Sequence, residues 1–393
     1  MTKTQDILYI DDAPNELLTP ARAVGADERF ADFQPAEPAA TRAAAKANLW
    51  VFDFFNDDKQ RTDPDLDGVK TNGLSVFQQF RLLVGDARPP AVLVSNHLPD
   101  ALGVEVLQAK RHVLAEQVGV EWIAPKVGTE SDSIREIVSL ADGTARLHKL
   151  GARLRESQPA AYSTDLARLA LKLPQRARWS ASAVRNVAEW RPPVWVAPQT
   201  VSKPGAPTVR PDIRLARDVI AWMVRHVLPY PSFLVRERHI AVRLRLTLAC
   251  LRQALATETE LSKLLGKVHY NGILHDFAGS RWWTAGIDDI DWDLPRSGSE
   301  RTAVLGRLVH PVQLVELDLD DPVVVSDSDL IETDEVAAIA ECVRAADEYF
   351  PPQASPAWVR IEAAREDKSL ARKVRLEDQA DLEPEPQAGA GES

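Results

Sequence analysis

Compact apolar runs recur through the first 125 positions: DILYI (6–10), RFADFQP (29–35), NLWVF (48–52), AVLVS (91–95) and VEWIA (120–124). Each is short enough for a strand, and DILYI, NLWVF and AVLVS run apolar without the polar alternation of a half-exposed one. Between them lie PNELLTPARAV (14–24), PAATRAAAKA (38–47), GLSVFQQFRLLV (73–84) and GVEVLQAKRHVLAEQV (103–118), all predicted to be helices. Strands that alternate with helices predict a doubly wound α/β domain, a five-stranded parallel sheet covered on both faces. The residues just past the strand ends then gather along one rim, where such sheets bind ligands.

Beyond this region the pattern changes. Residues 146–190 read as a helical connector, with STDLARLALKL (163–173) and ASAVRNVAEW (181–190) as its clearest segments. The Pro-rich stretch 191–212 cannot hold a continuous helix and is a linker. Residues 213–363 form a mainly α-helical output or interaction domain, strongly periodic over 213–268 and closing with a helix over DEVAAIAECVRAADEYF (334–350). The charged, apolar-poor residues 364–393 predict a disordered tail. The α/β domain occupies 1–145, and no internal repeat is visible.

The strand ends carry the chemistry. NLWVFDFFND sets Asp53 at the end of a run made for burial, where an unpartnered carboxylate costs several kcal/mol. The first strand is followed by Asp11 and Asp12, the fourth ends in Ser95, and the fifth is closed by Lys126. Clustered carboxylates repel one another unless a cation neutralises them, and hard oxygen ligands favour Mg²⁺. With that charge offset, Asp53 is a candidate nucleophile toward a phosphoryl group, and Lys126 and Ser95 are candidates to meet its oxygens.

The motifs YIDDA, VFDFF, LVSN and APK, in this order and placement, resemble the receiver domain of two-component response regulators over about residues 5 to 140, a third of the chain. The resemblance implies a flavodoxin-like fold in which Asp53 accepts a phosphoryl group from a histidine kinase or phosphotransfer protein. It further implies Mg²⁺ held by Asp12 directly, by Asp11 through water, by Asp53 and by the backbone carbonyl of Phe55, with Ser95 moving as the switch. Three features depart from the family: Pro125 precedes Lys126 and Val127 follows it; about fifteen extra residues (DDKQRTDPDLDGVKT) follow the Asp53 strand; and the span from Ser95 to Lys126 is long. A degenerate receiver used as a binding scaffold is the alternative reading of the same residues.

Composition narrows the rest. A net charge of -11 excludes a globally basic nucleic-acid binder. Yet residues 151–255 hold 18 Lys and Arg against 6 Asp and Glu, a local excess of 12 positive charges. Within them HIAVRLRLTLACLRQAL (239–255) fits a helix-turn-helix register, with Ile240, Ala241, Leu244, Leu246, Leu251 and Leu255 inside and Thr247 as a cap. Leu248, Arg252 and Gln253 would then face a groove with Arg243 beside them; an all-α domain that touches only protein gives the same pattern. The fragment DPDLDG (63–68) starts like a calcium loop but has Leu74 where a bidentate Glu belongs, and reads as a solvated acidic loop. Trp282, Trp283 and Trp292 read as a satellite core under a long loop, and His269 and His275 are spaced for no metal motif. No P-loop, dinucleotide fingerprint, nucleophile elbow or kinase signature occurs. Two cysteines, a polar N-terminus and the lack of a long apolar run predict a cytoplasmic location with no membrane partner.

Taken together, the sequence predicts a non-enzymatic phosphoacceptor that signals through protein contacts of its C-terminal region, including the case of a phosphate sink. A DNA-binding regulator acting through 239–255 is the alternative, and a motif-free output enzyme comes last.

Overall fold

The computed structural model describes residues 6–11, 14–33, 43–44, 46–54, 73–84, 88–95, 110–126, 130–154, 159–190, 211–277 and 279–383. They divide into two compact units: residues up to 175 with 184–229 and 270–280, and residues 176–183 with 230–269 and 281 onward.

In the first unit the strands are β1 (Ile7–Ile10), β2 (Phe30–Phe33), β3 (Leu49–Asp53), β4 (Ala91–Ser95) and β5 (Trp122–Pro125). They form one sheet in the order β2-β1-β3-β4-β5, parallel throughout. This is the flavodoxin-like doubly wound order, with its topological switch beside β1 and β3. Every residue of β1, β3 and β4 is buried, as a sheet covered on both faces requires. On one face Trp50 and Phe52 meet Phe77 and Phe80 of α2 (Gly73–Val84), the Phe52 ring edge-on at 5.6 and 5.7 Å from them. Helices α1 (Asn15–Ala23) and α3 (Arg111–Val118) complete the wrapping. At the opposite end from the acidic rim, Arg88 grips Glu121 in a buried fork at 2.8 and 3.0 Å.

Helix α4 (Glu130–Leu154) runs unbroken through the expected boundary at 145. Its Ile134, Ile137, Leu140, Ala141, Leu147 and Leu154 keep helical spacing on a buried side, so nothing in the pattern ends it there. Helix α5 (Pro159–Ala170) follows, and α7 (Pro211–Trp222), which comes after α6 (Ser180–Trp190), packs along α4. At that crossing a Cβ on Gly143 would sit 3.0 Å from Ile220 and 3.1 Å from Leu274. The Pro-rich stretch lies outside the described residues apart from 211–212, which open α7.

The second unit is helical at first, with α8 (Glu237–Leu244), α9 (Leu248–Ala256), α10 (Glu260–Val268), α11 (Thr284–Trp292) and α12 (Gly298–Val309). A short antiparallel pair, β6 (Leu234–Val235) with β7 (Trp282–Trp283), lies among them. The helix-turn-helix register holds locally. Arg245 takes the left-handed conformation at the turn (φ 59), and Thr247 Oγ1 accepts the Cys250 N–H. Ile240, Ala241, Leu244, Leu246 and Leu251 are buried, but Leu255 is half-buried and Leu248 is half-buried rather than exposed. Trp282 and Trp283 are core residues as expected, whereas Trp292 is 74% exposed.

Two expectations are corrected here. The stretch read as a helix over 334–350 is instead β9 (Glu332–Ala338), a single 3-10 turn and β10 (Cys342–Ala345). With β8 (Pro322–Ser326) and β11 (Ala357–Arg360) they form a mixed sheet in the order β10-β11-β8-β9. Ala-rich helix propensity is worth only tenths of a kcal/mol per residue and yields to pairing with the Val-rich β8. The expected disordered tail is ordered as far as residue 383: α13 (Ile361–Glu366), α14 (Lys368–Ala371) and a 3-10 segment fold back, burying Ala364, Leu370 and Val374 against Val343 and Val359. Ile361 and Leu382 pack against the same cluster, and Asp378 locks the turn to Arg344 at 2.8 and 2.5 Å. Among the described residues no helix is long and apolar enough to cross a membrane.

Candidate functional site

The strand registers bring the polar residues together. Ile10 pairs with Phe52, and Asp53 pairs with Val94, which pairs with Ala124. Side chains alternate along a strand, so Asp11, Asp53 and Lys126 fall on the same face where β1, β3 and β5 end. Lys126 Nζ lies 2.8 Å from Asp11 Oδ2 and 3.0 Å from Asp53 Oδ2. Asp11 is 0% exposed, Asp53 3% and Lys126 3%, so the ammonium compensates two carboxylates withdrawn from water. Burial alone would lower the Lys126 pKa; Asp53 and then Asp11 outweigh it and hold the group above the ordinary lysine value. Ser95 is buried one register position away, and its carbonyl accepts the Lys126 N–H at 3.2 Å.

Two members of the rim were not anticipated. Tyr9, two residues before Asp11 and so on the same side of β1, donates its hydroxyl to Asp11 Oδ2. Burial and then Asp11 push that phenol far above its usual range, so it acts as a donor at every ordinary pH. Glu16, in the first turn of α1, reaches Lys126 Nζ at 3.1 Å. The parity of Tyr9 and Asp11 was a readable signal; the Glu16 contact was not, because it depends on where α1 docks.

The chain that leaves β3 is pinned where it returns. Phe54 N–H donates to Val94 O at 2.9 Å, and Gly73 N–H donates to Phe54 O at 3.0 Å. Phe54 and Gly73, the described residues on either side of the extra ones, are thus joined directly. A Cβ on Gly73 would lie 1.5 Å from the Asp53 carbonyl oxygen, so this approach requires glycine.

Asp12 and Phe55, expected to complete a metal site, lie outside the described residues, as does DPDLDG. Among the described residues no group of three or more His, Cys, Asp or Glu could hold a metal ion. The described carboxylates, Asp11 and Asp53, are hard oxygen donors of the kind Mg²⁺ takes.

The residues singled out for DNA lie in the second unit and are engaged by acids. Arg243 meets Asp288 at 3.0 Å and Asp291 at 3.4 Å; Arg252 meets Glu237 at 2.5 Å and Asp334 at 2.8 Å. Gln253 is exposed.

No protein-family model matches the chain, and no curated protein does. Among solved structures it is similar to NtrX from Brucella abortus in complex with ADP, at 14% identity and a TM-score of 0.27, over 48% of this chain and 34% of that one. The ATP complex of NtrX gives 15% identity and 0.26, over 47% and 34%. A yeast Spc42 trimeric coiled-coil fusion gives 15% and 0.25, over 42% and 94%. The match thus spans about a third of the length of NtrX. Likenesses this distant establish neither a shared fold nor a shared activity. The doubly wound sheet and its buried Asp–Lys–Asp cluster stand independently of them.

Proposed function

We propose that the first unit is an atypical receiver that accepts a phosphoryl group on Asp53, and that the protein signals through protein contacts of its C-terminal region. The observation that supports this reading is Lys126 Nζ held between Asp11 and Asp53 at the C-terminal rim of a parallel sheet. A purely structural pair would be served as well by apolar residues of the same volume, whereas a buried cation beside two acids is suited to a dianionic group.

In this reading an Asp53 carboxylate oxygen attacks the phosphorus of a phosphohistidine on a histidine kinase or phosphotransfer protein. The new P–O bond forms as the P–N bond breaks, and the departing imidazole takes a proton from water. Lys126 offsets the charge on the phosphoryl oxygens and the Ser95 hydroxyl donates to one of them. Mg²⁺, held by Asp11, Asp12, Asp53 and the Phe55 carbonyl, would supply further neutralisation of those oxygens. The added charge then biases the rim, and the output is a changed protein contact, including that of a phosphate sink competing with another regulator. The reading places the protein in the cytoplasm and assigns it no enzymatic output.

Intact mass after incubation with Mg²⁺ and a small phosphodonor tests it. A single phosphoryl adduct is expected in the wild type and none in Asp53→Asn. No adduct with any donor or kinase would leave the rim as a scaffold only.

A second reading, DNA binding by α8 and α9, is favoured by the left-handed Arg245 and the Thr247 cap. It requires Arg243 and Arg252 to exchange their carboxylate partners for phosphates, and predicts steeply salt-dependent duplex binding that charge reversal at either residue abolishes.

A further inference from the structure

Lys126 contacts three carboxylates, and the third is unlike the other two. Asp11 and Asp53 end strands and are withdrawn from water, while the Glu16 side chain is 47% exposed. Glu16 is carried by α1, whose Leu17, Pro20 and Ala21 are buried. That packing fixes the helix and leaves Glu16 at its edge, half-exposed. Of the three acids on Lys126, the one that loses least by turning to water is the half-exposed Glu16.

Resting on the phosphoacceptor reading above, we propose that Glu16 is a positioning residue that competes with the incoming phosphoryl group for Lys126. Before transfer, Glu16 draws the ammonium toward α1 and adds negative charge at the mouth of the rim. Once Asp53 bears a phosphoryl group, three acceptor oxygens replace one carboxylate oxygen beside Lys126, and Glu16 turns to solvent. Glu16 thereby slows uptake of an anionic donor and shortens the life of the adduct, because it holds out an alternative partner to the lysine. The first turn of α1 becomes the part of the fold that reports whether Asp53 is occupied.

The test uses the full chain with Mg²⁺ and acetyl phosphate, following adduct formation by intact mass, and adduct loss after the donor is removed. Wild type, Glu16→Gln and Glu16→Asp are compared at low and high salt. Glu16→Gln keeps the shape and removes the charge, so uptake should rise about two- to five-fold and loss should slow by a similar factor at low salt. Salt should shrink the difference, since the charge is half-exposed. Glu16→Asp should return both rates toward wild type. A wild type that forms the adduct with Glu16→Gln rates equal to its own, or slower uptake in Glu16→Gln, overturns the inference and leaves the phosphoacceptor reading intact. A wild type that forms no adduct defeats that reading, and the inference falls with it. Unchanged cooperative thermal unfolding of both variants shows that the rates report on the rim and not on lost structure.

Discussion

Replacing Lys126 by methionine removes the charge that holds the rim together while keeping most of its volume. Lys126 Nζ lies within 3.1 Å of Asp11, Asp53 and Glu16, and Asp11 and Asp53 have almost no contact with water. Leaving buried carboxylates without their cation costs about 3–5 kcal/mol. Against a domain stability of about 5–15 kcal/mol, that is a large fraction of the whole. The loss should therefore appear as a much lower urea midpoint and as faster hydrogen exchange in Ile7–Ile10 and Leu49–Asp53, the strands that lead into the two acids. Adding Asp11→Asn and Asp53→Asn to Lys126→Met should recover much of the stability, because no charge is then buried alone. The pH dependence follows from the raised Lys126 pKa. Its stabilisation is fully present below the ordinary lysine value of 10.5 and is lost as pH rises toward and through the raised folded value. Lys126→Met should lack that alkaline component of the wild-type profile. A Lys126→Met protein that loses less than about 1 kcal/mol, the range of an exposed pair, would refute the claim that this is a buried charge cluster.

Three further outcomes are expected. Gly73→Val places a side chain against the Asp53 carbonyl oxygen, where even a Cβ would lie 1.5 Å away, so it should lower the melting temperature and abolish adduct formation at Asp53; retention of both would show that the approach is loose. Thr247→Ala removes the cap on the Cys250 N–H and should cost about 0.5–2 kcal/mol in chemical denaturation, with Thr247→Ser close to wild type. Asp378→Asn weakens the fork with Arg344, whose hydrogen bonds outweigh burial and hold the Asp378 pKa below its usual value, so limited proteolysis should cut the segment after residue 360 sooner. The wild type should become equally susceptible as pH falls below the ordinary aspartate value of 3.8 and through the lower folded one, since a depressed carboxylate stabilises only above that window.

The apolar runs and the residues at their ends were legible because both are local. Four or five consecutive apolar residues between helices fit a buried strand, and a polar residue that ends such a run emerges at its rim, which places Asp11, Asp53 and Lys126 together. The turn at Arg245 and the cap at Thr247 were legible for the same reason. What depended on contacts between distant segments was not. Residues 334–350 have the composition of a helix, and only the presence of β8 as a partner makes strands of them. The tail has too few apolar residues to fold by itself, yet Leu370 and Val374 find a surface already built by Val343 and Val359. Lys126 could be expected to face Asp53, but the contact from Glu16, 110 residues earlier in the chain, exists only because α1 packs against α4, the helix that follows β5. Local periodicity thus determined which elements form and where the chemistry lies, while the tertiary structure decided how that chemistry is partnered, because a charge chooses its partners by distance in space and not by spacing along the chain.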